Sequence, residues 1–269
     1  MKQETVSCRL EGKRLLITGG GSGIGRACAV LSAEQGARVA VLDQNAAAAE
    51  SVADELGGDV AVPICADIGS VDQIDAAVGQ AVAAFGGLDV LINVAGIQDQ
   101  MEPIDSVTAA LWDRVFAINV RGTAFMIQRV LREFLPRGEG VIVNTASTAS
   151  LLGGGGGAAY AASKGAIASL TRQVAWELAG TGVRINSLAP GATATNLMEN
   201  SARVLGGEGP SSRARSAIER MVAEFDDAIL LGRYADPREI AQAAVFLASD
   251  DASYLHGTML VVDGGVSIH

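Results

Sequence analysis

Histidine is nearly absent from this chain and cysteine is sparse: His256 and His269 are the only imidazoles, and Cys8, Cys28 and Cys65 stand far apart. None of them has the short spacing of a zinc ligand set, so no metal centre is expected. Their isolation reads them as reduced packing residues of a cytoplasmic protein, not as a disulfide framework. No apolar run approaches the ~20 residues of a membrane-spanning helix. The opening residues, M-K-Q-E-T-V-S-C-R-L, lack the apolar stretch of a secretion signal. Positive charge is in the minority, with 20 Lys and Arg against 30 Asp and Glu and a formal net charge of −10. That balance excludes a general binder of phosphate backbones and points away from nucleic acid. Aromatics make up only 4% of residues against 49% hydrophobic overall, so the core must be assembled from small aliphatic side chains. With 33 glycines for turns, such a core suits layers of helix packed on sheet.

What the chain has instead is a regular order of apolar runs, small-residue turns and helical stretches. A strand pattern at 13–18 (K-R-L-L-I-T) runs straight into Gly19-Gly20-Gly21-Ser22-Gly23-Ile24-Gly25, and a helix follows to about residue 35. In that context glycines let the backbone approach a pyrophosphate, while the N–H groups opening the helix face its negative charge. The spacing is T-G-x-x-x-G-x-G, carried by Gly19, Gly23 and Gly25, with Ser22 and Ile24 inside the turn. A second strand, 38–42, ends at Asp43. An acid there accepts the hydroxyls of an adenosine ribose and repels a 2′-phosphate. Gln44 and Asn45 bring no cation to receive that phosphate, so NAD is favoured over NADP. The competing reading makes Asp43 a cap for the helix at 46–56. Strand 60–66 closes on Asp67-Ile68, where the carboxylate either accepts an adenine amino group or caps the helix from about residue 71. After helix 71–85 and strand 88–93 comes Asn93-Val94-Ala95-Gly96. Ala95 and Gly96 leave room for a flat ring, and Asn93 can tie neighbouring backbone together. The β-α-β-α-β-α-β order with short loops predicts an α/β fold with a parallel sheet and helices on both faces. Ligands bind such sheets beyond the carboxyl ends of the strands, where every residue named so far falls.

A helix at 111–134 carries Asn119 among Val115, Phe116, Ile118 and Val120. A polar side chain buried in mid-helix needs partners and often accompanies a bend or a water. Asn119 is thus either functional or a core residue bonded to backbone. Strand 141–144 leads to Ser147, and five consecutive glycines, 153–157, precede Tyr160 and Lys164. Four residues apart on a helix running to 178, the phenol and the ammonium share one face. A free Tyr titrates near pH ~10 and a nearby cation favours the phenolate. The two therefore form a proton-transfer pair, unless they are only a boundary Tyr and a solvated Lys. Ser147 can set a hydroxyl opposite the same point. Strand 183–188 ends at Pro190-Gly191-Ala192-Thr193-Ala194-Thr195, whose hydroxyls can hold a carboxamide. From 196 to 227 two helices flank a G-G-E-G-P-S-S break, a pattern expected of a mobile flap. Leu197, Met198, Val204, Leu205, Met221 and Phe225 would give the flap an apolar face. Arg203, Arg213, Arg215 and Arg220 either meet solvent or recognise a carboxylate or phosphate. A helix at 237–249 and a strand at 257–262 bring the sheet to about seven strands.

T-G-G-G-S-G-I-G (18–25), N-V-A-G (93–96), Asn119, Ser147, Y-A-A-S-K (160–164), P-G (190–191) and V-D-G-G (262–265) together resemble the short-chain dehydrogenase/reductase superfamily, across residues 10–265. Val94 is a mild departure, since the family commonly has a second Asn there. The resemblance implies a single Rossmann-like, doubly wound catalytic domain over residues 1–269. It also implies interconversion of a secondary alcohol and a ketone with NAD. In the family pattern Tyr160 gives or takes the substrate's hydroxyl proton. Lys164 bonds the nicotinamide ribose and favours the phenolate, Ser147 positions the substrate oxygen, and the Asn119 backbone holds a water of a proton relay. The cofactor would lie on Gly19, Ser22, Gly23, Ile24, Gly25, Asp43, Asp67, Ile68, Asn93, Ala95, Gly96, Tyr160, Lys164, Pro190, Gly191, Thr193 and Thr195. A homotetramer joined through the helices at 111–134 and 160–178 is also implied, with a small-molecule alcohol or ketone as substrate, and the apolar flap face suits one of medium size. Two other readings stand beside this one. A 3-oxoacyl-thioester (acyl carrier protein) reductase would use the flap arginines for its carrier, but it usually prefers NADPH, against Asp43. A nucleotide-binding scaffold without turnover would have lost Ser147, Tyr160 or Lys164, and all three are present.

Overall fold

The computed structural model describes residues 8–207 and 209–268, and only the backbone for residues 224–227. The opening residues read above for a secretion signal, through Ser7, and the Phe225 side chain lie outside the described residues. The first half of the chain builds β1 (Arg14–Thr18), α1 (Gly23–Glu34), β2 (Arg38–Asp43), α2 (Ala46–Leu56), β3 (Ala61–Cys65), α3 (Val71–Phe85) and β4 (Val90–Asn93). The second half adds α4 (Ala109–Phe116), α5 (Thr123–Phe134), β5 (Gly140–Thr145), α6 (Ala158–Glu177) and β6 (Val183–Pro190). The helices α7 (Leu197–Val204), α8 (Ser212–Ala228) and α9 (Pro237–Ala248) precede the last strand, β7 (Met259–Val262). The seven strands pair in the order β3-β2-β1-β4-β5-β6-β7, all parallel. This is the Rossmann-like, doubly wound sheet expected from the sequence. Among the described residues no helix is long and apolar enough to cross a membrane.

Alternation along the strands divides the core in two. Leu16 of β1 faces a cluster with Leu42, Ile64, Leu91, Ile142 and Ile185, covered by α3, α5 and α6. Leu15 and Ile17 face the other, with Val39, Val41, Val90, Ile92 and Val143, covered by α1, α2 and α9. With helices on both faces, the central strands are apolar along their whole length instead of alternating with polar residues. Pro63 sits on the outermost strand, β3, where its missing N–H breaks no ladder bond. The chain winds outward from β1 to β3 and then crosses back to lay β4 beside β1. That reversal opens a crevice beyond the carboxyl ends of β1 and β4. The register sets Thr18 beside Asn93 and Asn93 beside Asn144, so three polar side chains line up at its floor.

Two expectations need correction. The helix read at 111–134 is interrupted, because Ala117–Gly122 is a π-helical segment between α4 and α5. In this wider turn the Thr123 hydroxyl donates to the Asn119 carbonyl at 2.9 Å, satisfying an acceptor that the altered ladder exposes. Gly122 at its end packs so closely on the loop after β3 that a Cβ would fall 2.7 Å from the Ile68 carbonyl oxygen. The cysteines are also not all packing residues: Cys28 is buried, whereas Cys8 and Cys65 are exposed. Cys65 ends an edge strand whose alternate side chains face solvent.

Candidate active site

The turn from Thr18 to Gly25 is shaped by contacts that admit no side chain. Gly19 has φ 69°, and a Cβ there would lie 2.9 Å from the Ala95 backbone. At Gly25 a Cβ would fall 2.0 Å from the Gly19 carbonyl oxygen, so the turn closes only on glycine. Ser22 precedes α1 without making a side-chain capping bond, and its hydroxyl instead accepts from Asn200 Nδ2 at 3.2 Å. The first-turn N–H groups of α1 remain available to an outside anion. Ile24 packs on the core, while Thr195 approaches Gly23 from across the crevice, its methyl 3.3 Å from where a Cβ would be.

Asp43 does not cap α2. Asn45 does, its Oδ1 accepting from Ala48 N at 3.3 Å. The Asp43 carboxylate accepts from Gly21 N at 3.0 Å and Asn45 N at 2.9 Å, which plants a negative charge beside the glycine turn. Asp67 likewise leaves the N-cap of α3 to Ser70. It accepts from Gly69 N at 2.8 Å and pairs with Arg114 of α4 at 2.9 Å, a cation 47 residues away that no local pattern announces. Ile68 is a core side chain, so only its backbone is left for a ligand.

Asn93 ties side chains together where backbone was expected. Its Nδ2 donates to Asn144 Oδ1, and Asn144 Nδ2 donates to Thr171 Oγ1, both at 3.0 Å. Thr18 Oγ1 accepts from Val94 N at 3.1 Å and Ala95 N at 3.2 Å, which holds the V-A-G turn over β1. Across the crevice, Gly191 N donates to Val262 O at 3.0 Å just after Pro190, and the Thr193 hydroxyl donates to Gly191 O at 3.1 Å. Among the described residues, Asn93 Oδ1 and Thr145 Oγ1 are buried without a partner at the ends of β4 and β5. Native interiors rarely leave such atoms unmatched. The glycine cradle, the free helix start and these two atoms therefore fit a dinucleotide lying across the strand ends.

Tyr160 and Lys164 lie buried in the first two turns of α6. Lys164 Nζ stands 5.6 Å from the Tyr160 ring centroid and donates to the Thr145 carbonyl at 2.7 Å. The Ser147 hydroxyl lies beside the Tyr160 phenol. Burial pushes the Tyr160 phenol up to about 12; the neighbouring Ser147 hydroxyl eases this and the Asp99 charge adds to it. Burial likewise pushes the Lys164 ammonium down to about 8. A cation lowering the phenol is the expectation from the sequence, but desolvation outweighs it and raises the phenol, while the Lys164 ammonium, though lowered, still keeps its proton at neutral pH. Ionising Tyr160 near neutral pH therefore requires further positive charge beside it.

Asn119 uses its side chain as a clasp. Oδ1 accepts from Ile97 N, and Nδ2 donates to Ile97 O and to Ser163 Oγ, each at 2.9 Å. The loop after β4 is thereby joined to α6 through the π-helical segment. Gly96 fits between them, since a Cβ would lie 3.2 Å from Asn119 Oδ1 and 3.5 Å from Lys164 Nζ. Sequence reasoning missed Asp99, a fully buried acid that accepts from Gly157 N and Tyr160 N, both at 3.0 Å. The signal was a lone acid two residues past the N-V-A-G-I turn. The end of the glycine run is closely packed. A Cβ at Gly156 would sit 2.4 Å from Tyr160 Cδ1, and one at Gly157 would sit 2.2 Å from Asp99 Oδ1.

In the segment 196–227, Val204 and Leu205 are half-buried and pack against the core. Ser201 Oγ accepts from Gln98 N at 2.9 Å, anchoring α7 to the loop after β4. Three of the four arginines have partners within the chain: Arg203 donates to Asn200 at 2.9 Å, Arg213 pairs with Asp105 at 3.1 Å, and Arg215 donates to Pro210 O at 3.0 Å.

A buried phenol–hydroxyl–ammonium cluster at the mouth of a dinucleotide crevice is the equipment of a nicotinamide-dependent oxidoreductase, where the cofactor moves hydride and the protein moves the proton. Comparison with known proteins points the same way. The family model described as enoyl-(acyl carrier protein) reductase matches residues 19–267. Levodione reductase of Leifsonia aquatica is 38% identical over 263 residues, 96% of each chain. D-threitol dehydrogenase of Mycolicibacterium smegmatis is 38% identical over 262 residues, 97% of this chain and 95% of its own. The crystal structure of 3-ketoacyl-(acyl-carrier-protein) reductase from Brucella melitensis complexed with NADH superposes with a TM-score of 0.83 at 38% identity, over 96% of this chain and 99% of that one. The chain belongs to the short-chain dehydrogenase/reductase superfamily. It interconverts a secondary alcohol and a ketone with a nicotinamide cofactor.

Proposed function

We propose that this chain is an NAD-preferring secondary-alcohol dehydrogenase with Tyr160 as its acid–base group. The observation that carries this reading is the buried contact of Tyr160 with Ser147, one helical turn from Lys164. The turn Gly19–Gly25 with Ser22, Gly23 and Ile24 would hold the pyrophosphate, Asp43 the adenosine ribose, and Asp67 with the Ile68 backbone the adenine. Asn93, Ala95, Gly96, Pro190, Gly191, Thr193 and Thr195 would hold the nicotinamide end. Bound NAD supplies hydride acceptance from the alcohol carbon, or hydride donation in the reverse direction. Tyr160 takes the hydroxyl proton, and Ser147 holds the same oxygen in line with the phenol. Lys164, anchored on the Thr145 carbonyl, adds positive charge beside the phenol and reaches the ribose. Asn119 keeps the loop at Gly96 against α6, and its backbone carbonyl is the seat of a relay water.

Residues 1–269 act as one catalytic unit, with 196–227 closing over a medium-sized alcohol. A homotetramer in the cytoplasm is proposed with it. Trp176 of α6 is 77% exposed and all four residues of β7 are only half-buried, apolar surfaces of the kind that meet another copy. A second reading, 3-oxoacyl-thioester reduction, is favoured by the likeness to the Brucella reductase, whose complex with NADH weakens the objection from Asp43. The deciding experiment measures reduction of NAD⁺ and NADP⁺ across acyclic, cyclic, polyol and 3-hydroxyacyl-thioester alcohols. Turnover of a non-thioester alcohol with NAD⁺ is expected. Tyr160→Phe should lower kcat about 10²–10⁴-fold with the melting temperature unchanged. Turnover confined to thioesters selects the second reading, and undiminished turnover in Tyr160→Phe refutes the acid–base assignment.

A further inference from the structure

The Asp99 carboxylate is wholly buried, lies outside every motif that identifies the family, and is bonded to the backbone of the helix that carries Tyr160. We propose that Asp99 is a positioning residue for Tyr160: reaching in from the loop after β4, it caps the first turn of α6 and fixes the phenol against Ser147. This rests on the reading of Tyr160 as the acid–base group. The N-cap of α6 is Gly157, which has no side chain to accept the first N–H groups of the helix. Asp99 replaces that missing acceptor from a distant part of the chain. Oδ1 accepts from Gly157 N and Oδ2 from Tyr160 N, both at 3.0 Å, and Met101 N adds a third bond at 3.3 Å. The capped N–H therefore belongs to the residue that bears the phenol, so the cap sets the height of the side chain along the helix.

The surroundings are fitted to this contact. Gln100 and Met101 follow Asp99 at φ 57° and 58°, left-handed conformations that cost a non-glycine residue energy and persist only where the surroundings enforce them. Both are buried. Gly157 is required because a Cβ would stand 2.2 Å from Asp99 Oδ1. The charged or titratable groups facing Tyr160 are Lys164 on its own helix and Asp99 from the loop after β4, while Ser147 contributes a hydroxyl. The Asp99 charge raises the phenol. It thus adds to the burial that keeps Tyr160 protonated while holding the residue in place.

Asp99→Asn keeps the size, removes the charge and leaves one acceptor oxygen for three N–H groups. The first measurement needs no substrate. The chain has three tyrosines, so the Tyr160 phenolate absorbance in a stopped-flow pH jump is isolated by subtracting the matching Tyr160→Phe protein. In Asp99→Asn it is expected about one pH unit below its wild-type position, and Asp99→Glu should restore that position. The second measurement uses NAD⁺ and the best alcohol of the panel: kcat should fall about 10- to 100-fold in Asp99→Asn with KM changed less than about threefold. Gly157→Ala, which displaces the carboxylate but keeps its charge, should lower kcat without moving the phenolate, and it serves if Asp99→Asn does not fold. Unchanged phenolate position and kcat in Asp99→Asn, or unchanged kcat in Gly157→Ala, overturns the proposal. Turnover surviving in Tyr160→Phe would instead remove the acid–base reading beneath it, while the substrate-free titration would still report on Asp99.

Discussion

Asp43→Asn isolates the charge that we hold responsible for cofactor choice. The carboxylate is fixed by Gly21 N at 3.0 Å and Asn45 N at 2.9 Å, so its position beside the glycine turn is not free to relax away from a bound ribose. A unit negative charge ~4 Å away on a 2′-phosphate is repelled by about 1 kcal/mol if the pair is screened as in water, and by about 4 kcal/mol at the effective dielectric of a protein surface. Those limits correspond to about fivefold and about a thousandfold in the preference for NAD⁺. Asparagine keeps the shape and one of the two backbone bonds, so the loss is mostly of charge. The assay is the ratio of kcat/KM for NAD⁺ over NADP⁺ at saturating alcohol, at low and at high salt. The ratio should drop toward unity in Asp43→Asn, through a gain with NADP⁺ more than a loss with NAD⁺, and the wild-type ratio should shrink as salt is added. A wild-type preference for NADP⁺, or a ratio indifferent to Asp43→Asn, would refute the argument.

Three further outcomes are expected. Lys164 is pushed down to about 8 from 10.5, so between those values the unfolded chain binds more protons and stability rises with pH. Cys28 and Tyr160, both pushed up to about 12 from 9.0 and 10.0, hold their protons longer in the fold and make stability fall above those ordinary values. The melting temperature should therefore climb from about pH 8 to about pH 9 and decline in stronger base, and Lys164→Met should abolish the climb. Gly25→Ala would set a Cβ 2.0 Å from the Gly19 carbonyl oxygen. An overpacking cost of about 1–3 kcal/mol is expected in urea unfolding, with weaker NAD⁺ binding by calorimetry because the turn must open. Asn119→Ala removes three bonds and strands the Ile97 N–H and C=O in the interior. A loss of about 2–4 kcal/mol is expected from denaturant midpoints, and an unchanged midpoint would show that water replaces the amide.

Local chemistry made much of this protein legible before any fold was known. The glycine turn, the strand lengths and the Tyr160–Lys164 spacing are written within a few residues of chain, and each is a backbone or helical-period constraint that short-range sterics enforce. Their succession was enough for a parallel sheet with helices on both faces and for a crevice at the strand ends. Whatever depends on partners distant in sequence was not legible. Asp67 was weighed as a base acceptor or a cap, and the tertiary structure adds Arg114. The local sequence leaves Asn119 between function and core, and only the closeness of Ile97 and Ser163 makes its amide a clasp in a π-helical turn. The phenol's ionisation was judged from its neighbour four residues on, whereas burial, a property of the whole packed molecule, decides its direction. The glycines at 156 and 157 carry no reason for themselves in the local sequence and are the imprint of Tyr160 and a buried acid. Spacing along the chain determined which elements form and which ends they present. The desolvation and long-range hydrogen bonds that tune those ends arise only when segments tens of residues apart exclude water together.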